Sequence, residues 1–214
     1  MEDFNFYRDI VKKKGATRFF KRAFDITASV LGIAILIPLL IITAIFIVAE
    51  SRGGVFYRQV RIGKDGKPFR IFKFRTMVAD ADKKGLQITV GRDSRITKTG
   101  KFLRATKIDE LPQLFNVFLG QMSFVGPRPE VKKYVEMYDE TQKAVLLVRP
   151  GITEYASIVY RDENDLLQGS DDPEATYINE IMPRKLDMNL NYIKSFSFFG
   201  DIGIIIKTFL AILK

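Results

Sequence analysis

The chain has 214 residues, enough to bury a real core in one domain, and it contains no cysteine and no histidine. Disulfides, thiolate nucleophiles, imidazole bases and nearly all catalytic zinc sites are thereby excluded. Acid–base or covalent chemistry falls to Asp, Glu, Lys, Tyr, Ser or Thr. A net charge of +9 calls for an anionic partner: phospholipid headgroups, phosphorylated substrates or nucleic acid.

Residues 1–22 mix Phe4, Phe6, Tyr7, Ile10 and Val11 with a lysine cluster, which reads as a basic interfacial segment or as a flexible tail. Next come 24 residues without a charge, Ile26 to Ala49. As a straight helix they would reach about 36 Å, enough for a hydrocarbon core of about 30 Å. Pro38 lies at their midpoint. It removes a backbone donor and crowds the carbonyl of Ala34, which predicts a kink or break. Both flanks are basic, with Lys12, Lys13, Lys14, Arg18, Lys21 and Arg22 before the run and Arg52, Arg58, Arg61, Lys64 and Lys67 after it. A spanning helix leaves its positive excess on one side. Two basic flanks fit a segment, residues 23–50, that enters the cytoplasmic leaflet, turns at Pro38 and returns. A single-pass anchor is the alternative. The carbonyl freed by Pro38 needs a donor that lipid does not supply, and Thr27, Ser29 and Thr43 are the nearby hydroxyls.

Residues 51–214 read as a cytosolic domain. Val55–Arg61 and Lys67–Phe74 flank an Asp65-Gly66 turn, the signal for a hairpin. Residues 77–100 look irregular. Pro112 suits the first turn of a helix over Leu111–Leu119, with Leu111, Leu114, Phe115 and Phe118 on one face and Gly120 as its stop. A second helix is predicted over Glu130–Val148. Residues 162–187 are acidic and mix loop with helix. Ile202–Leu213 has helical spacing, as an interfacial or a core helix. The fold expected is α+β and mostly helical: a membrane helix broken at a proline, amphipathic surface helices and a small β-hairpin around a catalytic domain.

Asp109-Glu110 stands directly ahead of the Pro112 helix. Acids favour helix N-termini for their free amides alone. Here, however, Arg92, Arg95, Lys98, Lys101, Arg104 and Lys107 precede the pair and Arg128 follows it. Two carboxylates among cations, without histidine, suggest metal-assisted phosphoryl chemistry or a carboxylate nucleophile. In Phe124-Val125-Gly126-Pro127-Arg128-Pro129-Glu130, two prolines stiffen the backbone around Arg128, which suits a bidentate phosphate clamp. In Phe72-Lys73-Phe74-Arg75-Thr76-Met77, alternation places Lys73 and Arg75 on one strand face; core phenylalanines with solvated charges would look the same.

These strings, with Lys21-Arg22-Ala23-Phe24-Asp25, Asp109-Glu110-Leu111-Pro112-Gln113-Leu114-Phe115-Asn116-Val117, Gly120-Gln121-Met122-Ser123 and Arg149-Pro150-Gly151-Ile152-Thr153, run in order from Lys21 onward. The chain strongly resembles the bacterial sugar transferases, the monotopic phosphoglycosyl transferases. The resemblance implies a UDP-sugar donor, a polyprenol phosphate acceptor, UMP as leaving group and Mg²⁺ as cofactor, at the cytoplasmic face of the bacterial inner membrane. Asp109 would be the nucleophile and Glu110 its partner, both beside the metal. Arg104 and Arg128 would hold phosphate, Lys73, Arg75, Arg95, Pro129 and Glu130 would join them as substrate or phosphate ligands, and Arg161 would lie near the nucleotide. Ile37 stands where many members have a serine before the proline, and Glu154-Tyr155-Ala156-Ser157 replaces their Gly-Trp-Ala-Gln. The sugar is therefore not carried over. Oligomeric state stays open, a homodimer included. A non-enzymatic basic adaptor for anionic lipids is the other function class; nucleic acid is not expected as a partner, because the basic residues cluster beside the apolar segment.

Overall fold

The computed structural model describes residues 2–79, 81, 93–161 and 163–213. Helix α1 (Phe4–Lys13) is capped by Asp3, whose carboxylate accepts from the Phe6 amide. Its buried Tyr7 and Val11 join the largest apolar cluster, so this segment packs into the domain instead of forming a tail. Helix α2 (Gly15–Glu50) then runs for 36 residues with Pro38 inside it. Residues 15–22 therefore belong to this long helix, whose helical course continues through Pro38 with no full break; a kink at the proline is compatible with that course. Among the described residues it is the one helix long and apolar enough to cross a membrane.

Only one stripe of α2 is covered. Asp25, Ser29, Thr43 and Ile47 are buried, and Gly32 faces Leu114. The opposite face shows Leu31, Ile35, Ile42, Ile45 and Phe46, with Ile35 74% exposed. The Ser29 hydroxyl donates to the Ile26 carbonyl, not to Ala34.

The hairpin is present and nested. β1 (Phe56–Tyr57) pairs with β4 (Lys73–Phe74), and β2 (Val60–Ile62) pairs with β3 (Pro68–Arg70), all antiparallel. Asp65 and Gly66 make the turn with positive φ, 57° and 72°. Half of the irregular segment expected over 77–100 lies outside the described residues, Arg92 included; its end forms the start of α3 (Lys98–Thr106), capped by Thr97. Glu50, at the end of α2, accepts from the free Lys98 and Thr99 amides of α3.

A 3-10 turn (Ile108–Glu110) leads through Pro112 into α4 (Gln113–Phe118). The face that α4 buries is Gln113, Leu114, Asn116 and Val117; Phe118 is exposed, which corrects the expected face. Strand β5 (Ser123–Val125) pairs in parallel with β6 (Gly151–Thr153). Between them the single helix expected over Glu130–Val148 is instead α5 (Lys132–Val135) and a 3-10 stretch (Gln142–Leu147). Asp139 and Gln142 exchange side-chain bonds with each other's amides, a reciprocal box that starts a new turn. α6 (Tyr155–Val159), α7 (Glu163–Gln168), α8 (Pro173–Thr176), α9 (Met182–Ser195) and α10 (Phe198–Leu213) complete the chain. α9 contributes Leu186, Leu190 and Ile193 to the main core beside Tyr134 and Tyr138.

Candidate active site

Asp109 is 1% exposed, and its position follows from three local devices. Lys107, at φ 58°, turns the chain sharply out of α3. The 3-10 turn then carries Asp109 and Glu110 to the head of α4. Asn116 ties α4 to the strand opposite: its Oδ1 accepts from the Phe72 amide at 2.7 Å and its Nδ2 donates to the Arg70 carbonyl at 2.9 Å. That tie sets Lys73 against the two carboxylates. Its Nζ lies 2.9 Å from Asp109 Oδ2 and 3.2 Å from Glu110 Oε1.

Arg128 arrives from the other side. The two glycine–proline strings read from the sequence form one parallel ladder. Ser123 N donates to the Pro150 carbonyl, Gly126 N to Thr153 and Gly151 N to Pro127. The backbones approach so closely that a Cβ on Gly126 would meet the Arg149 carbonyl at 2.4 Å, and one on Gly151 would meet Gly126 N at 2.2 Å. The ladder fixes the loop that carries Arg128, whose Nη2 donates to Glu110 Oε1 at 2.5 Å. Burial opposes charge on Glu110. The positive charges of Arg128 and Lys73 outweigh it and hold the carboxyl well below the usual carboxylate range. Glu110 in turn raises the already high pKa of Arg128.

Arg104 Nε donates to Thr76 Oγ1 at 2.9 Å; burial lowers its pKa and the Asp109 charge opposes that. Lys73 and Arg104 thus act on Asp109, and Arg128 on the adjacent Glu110, yet Asp109 Oδ1 is buried with no hydrogen-bond partner. A buried carboxylate oxygen left without a donor is costly unless a ligand or a reaction uses it.

Other residues expected in the site stand elsewhere. Arg75 gives its two terminal nitrogens to the Ser51 and Arg52 carbonyls after α2. Glu130 accepts from Tyr177 at 2.5 Å and lies 3.6 Å from Arg61, and the Pro129 carbonyl accepts from Arg61; these two brace the loop behind Arg128. Arg95 is forked onto Asp93 and also donates to the Ala81 carbonyl. Arg161 is exposed at the end of α6. Sequence reading assigned no role to Glu154, which is 2% exposed. Its carboxylate accepts from the Arg128 amide at 2.8 Å, from Asn189 at 2.9 Å and from Ser157 at 3.0 Å. The signal was present: Glu154 is one of the positions where the string departs from its commoner form.

A buried carboxylate with a free oxygen, framed by lysine and arginine, is the equipment of phosphoryl transfer. The model of the bacterial sugar transferase family matches residues 16–214, and the chain belongs to that family. It is 39% identical over 198 residues, 91% of this chain and 44% of the relative, to an Aeromonas hydrophila UDP-N-acetylgalactosamine-undecaprenyl-phosphate N-acetylgalactosaminephosphotransferase. It is 42% identical over 199 residues, 91% of this chain and 40% of the relative, to a Klebsiella pneumoniae UDP-glucose:undecaprenyl-phosphate glucose-1-phosphate transferase. A Caulobacter vibrioides protein of the latter name is 36% identical over 191 residues, 88% of this chain and 67% of the relative. The chain thus spans about two-fifths of the length of the first two relatives.

Proposed function

We propose that the protein moves a sugar-1-phosphate from a UDP-sugar to undecaprenyl phosphate and releases UMP. The observation that carries this reading is Asp109: one oxygen held by Lys73, the other buried and unpartnered, inside a cage of cations. In the first step Asp109 Oδ1 attacks the β-phosphorus of the donor. The bond from that phosphorus to the bridging oxygen breaks, and the electron pair leaves with UMP. In the second step a phosphate oxygen of the polyprenol attacks the same phosphorus. The Asp109–phosphorus bond breaks, the carboxylate is restored, and a polyprenol-diphosphate sugar remains. Lys73 passes from carboxylate to phosphate as the donor enters, and Arg104 and Arg128 receive the developing charge. Glu110, kept ionised by Arg128 and Lys73, orients both cations and does not supply a proton near neutral pH.

Mg²⁺ fits this donor set. Asp109 Oδ2 comes free as Lys73 passes to phosphate, and Glu110 Oε2 has one long contact, 3.4 Å to Arg128. Among the described residues no three acidic groups cluster for a metal, so Asp109 and Glu110 would hold the ion with substrate oxygens and water completing its shell. When bound, it supplies neutralisation of the diphosphate.

The protein acts at the cytoplasmic face of the inner membrane, with α2 re-entrant. Asp25, near the start of the apolar run, bonds to Ser123 and the Phe124 amide, and Glu50, just past its end, bonds to α3. Both ends thus dock on one charged body, which a bilayer-crossing helix would have to straddle. Single cysteines at residues 10 and 60, clean probes in a cysteine-free chain, should both report the cytoplasm; opposite sides would mean a crossing helix. The reaction is tested with Mg²⁺, undecaprenyl phosphate and a panel of UDP-sugars. UMP release that vanishes in a folded Asp109→Asn protein is expected. No UMP from any donor would reject the reading.

A further inference from the structure

A second group of cations lies where α2 enters its apolar run. Arg18 and Arg22 from α2, Lys64 from the hairpin turn and Arg149 ahead of β6 face one solvent-open cavity with an empty volume of about 430 Å³. None of Lys73, Arg104, Asp109, Glu110 and Arg128 lines it.

The charges there are not balanced. The lining holds five cations, the fifth being Lys21, and one carboxylate, Asp25. Lys21 is neutralised by Asp201. Asp25 turns Oδ1 onto Ser123 and the Phe124 amide, both at 3.1 Å. Arg22 donates to the Val117 and Phe118 carbonyls, and Arg149 Nε donates to the Gly120 carbonyl. Among the described residues none of Arg18, Arg22 and Arg149 forms an ion pair. Lys64 has only its neighbour Asp65, 3.7 Å away and half-exposed. Burial, and then the like charge of Arg22 and of Arg18, push the Arg149 guanidinium below its ordinary value. Like charges gathered around a partly desolvated cavity destabilise the fold until an anion enters, and guanidinium groups favour phosphate.

The surroundings are apolar. Phe19 and Phe20, beside Arg18 and Arg22, are 70% and 61% exposed. Phe199 is 84% exposed; it lies against Phe198, which packs edge-on against Phe24 of α2. A phosphate that arrives attached to acyl chains satisfies the cations and covers these rings together. We infer that the cavity binds the headgroup phosphate of an anionic membrane lipid, apart from the site of phosphosugar transfer. This goes beyond the catalytic reading and does not require it.

The test uses the full chain in detergent, with phosphatidylglycerol or phosphatidylcholine added and retained lipid measured by native mass spectrometry. Phosphatidylglycerol should be retained at about one per chain and in preference to phosphatidylcholine. Arg18→Gln/Lys64→Gln removes charges that hold no backbone group, and it should cut retention on the order of tenfold while circular dichroism stays unchanged. Lys132→Gln/Lys143→Gln, on an exposed face elsewhere, should leave retention as it was. Equal retention in wild type and Arg18→Gln/Lys64→Gln overturns the site, as does equal loss in both double variants. Excess inorganic phosphate that binds in the same cavity, with no lipid retained, overturns the lipid assignment.

Discussion

The two cationic regions of this chain solve opposite problems. Around Asp109 the two carboxylates hold cations: Lys73 and Arg128 are bonded to them, and the group left over is one buried carboxylate oxygen. At the start of α2 the carboxylate is turned onto Ser123 and a backbone amide, and the groups left over are guanidinium ions. An unpartnered carboxylate oxygen among cations suits attack on phosphorus, whereas cations without a carboxylate partner suit holding an anion. Similar composition in the two regions thus yields different chemistry, because the backbone decides which charge remains free.

The comparison breaks first at Asp109. Asp109→Asn keeps the shape and removes the nucleophile, so UMP release should fall at least about 10³-fold in a folded protein. Arg128→Ala is next. It leaves Glu110 buried against Lys73 alone and should cost about 10²–10³-fold in kcat/KM. Glu154→Gln loosens the Arg128 amide without touching the carboxylate pair, and about tenfold in kcat/KM is expected, since one charge-assisted bond is weakened. Arg18→Gln/Lys64→Gln should change turnover of a soluble short-chain acceptor by less than about twofold, as its charges lie outside the transfer site. If it matched Arg128→Ala, the two regions would be one.

A pH series sharpens the same contrast. The Glu110 carboxyl is held below its unfolded value of about 4.3. Its contribution to stability is therefore fully present above that value and is lost as pH falls through the folded one. Thermal unfolding should show no Glu110-linked change between about pH 5 and 8 and a loss at more acid pH. Glu110→Gln should remove part of that acid loss. An equal acid loss in both proteins would mean that Glu110 is not held by its cations.

Features set by neighbours in sequence were legible. Asp65-Gly66 gave the hairpin, Pro112 the start of α4, and Asp109-Glu110 its place ahead of that helix. Features set by distant pairings were not. Nothing local shows that Arg75 reaches the carbonyls after α2, or that Glu154 meets Asn189, 35 residues away. The split of Glu130–Val148 was a different failure. The Asp139/Gln142 box is local, and the reading of one helix over the whole stretch passed over it. Pro38 gives a break on local chemistry alone, yet α2 continues through it.

Mass spectrometry of protein quenched during turnover with a UDP-sugar tests the central assignment most directly. A phosphosugar adduct on Asp109, absent when Asn replaces it and discharged by undecaprenyl phosphate, is the expected result. Continued UMP release with residue 109 unmodified, or an adduct on another side chain, would contradict it.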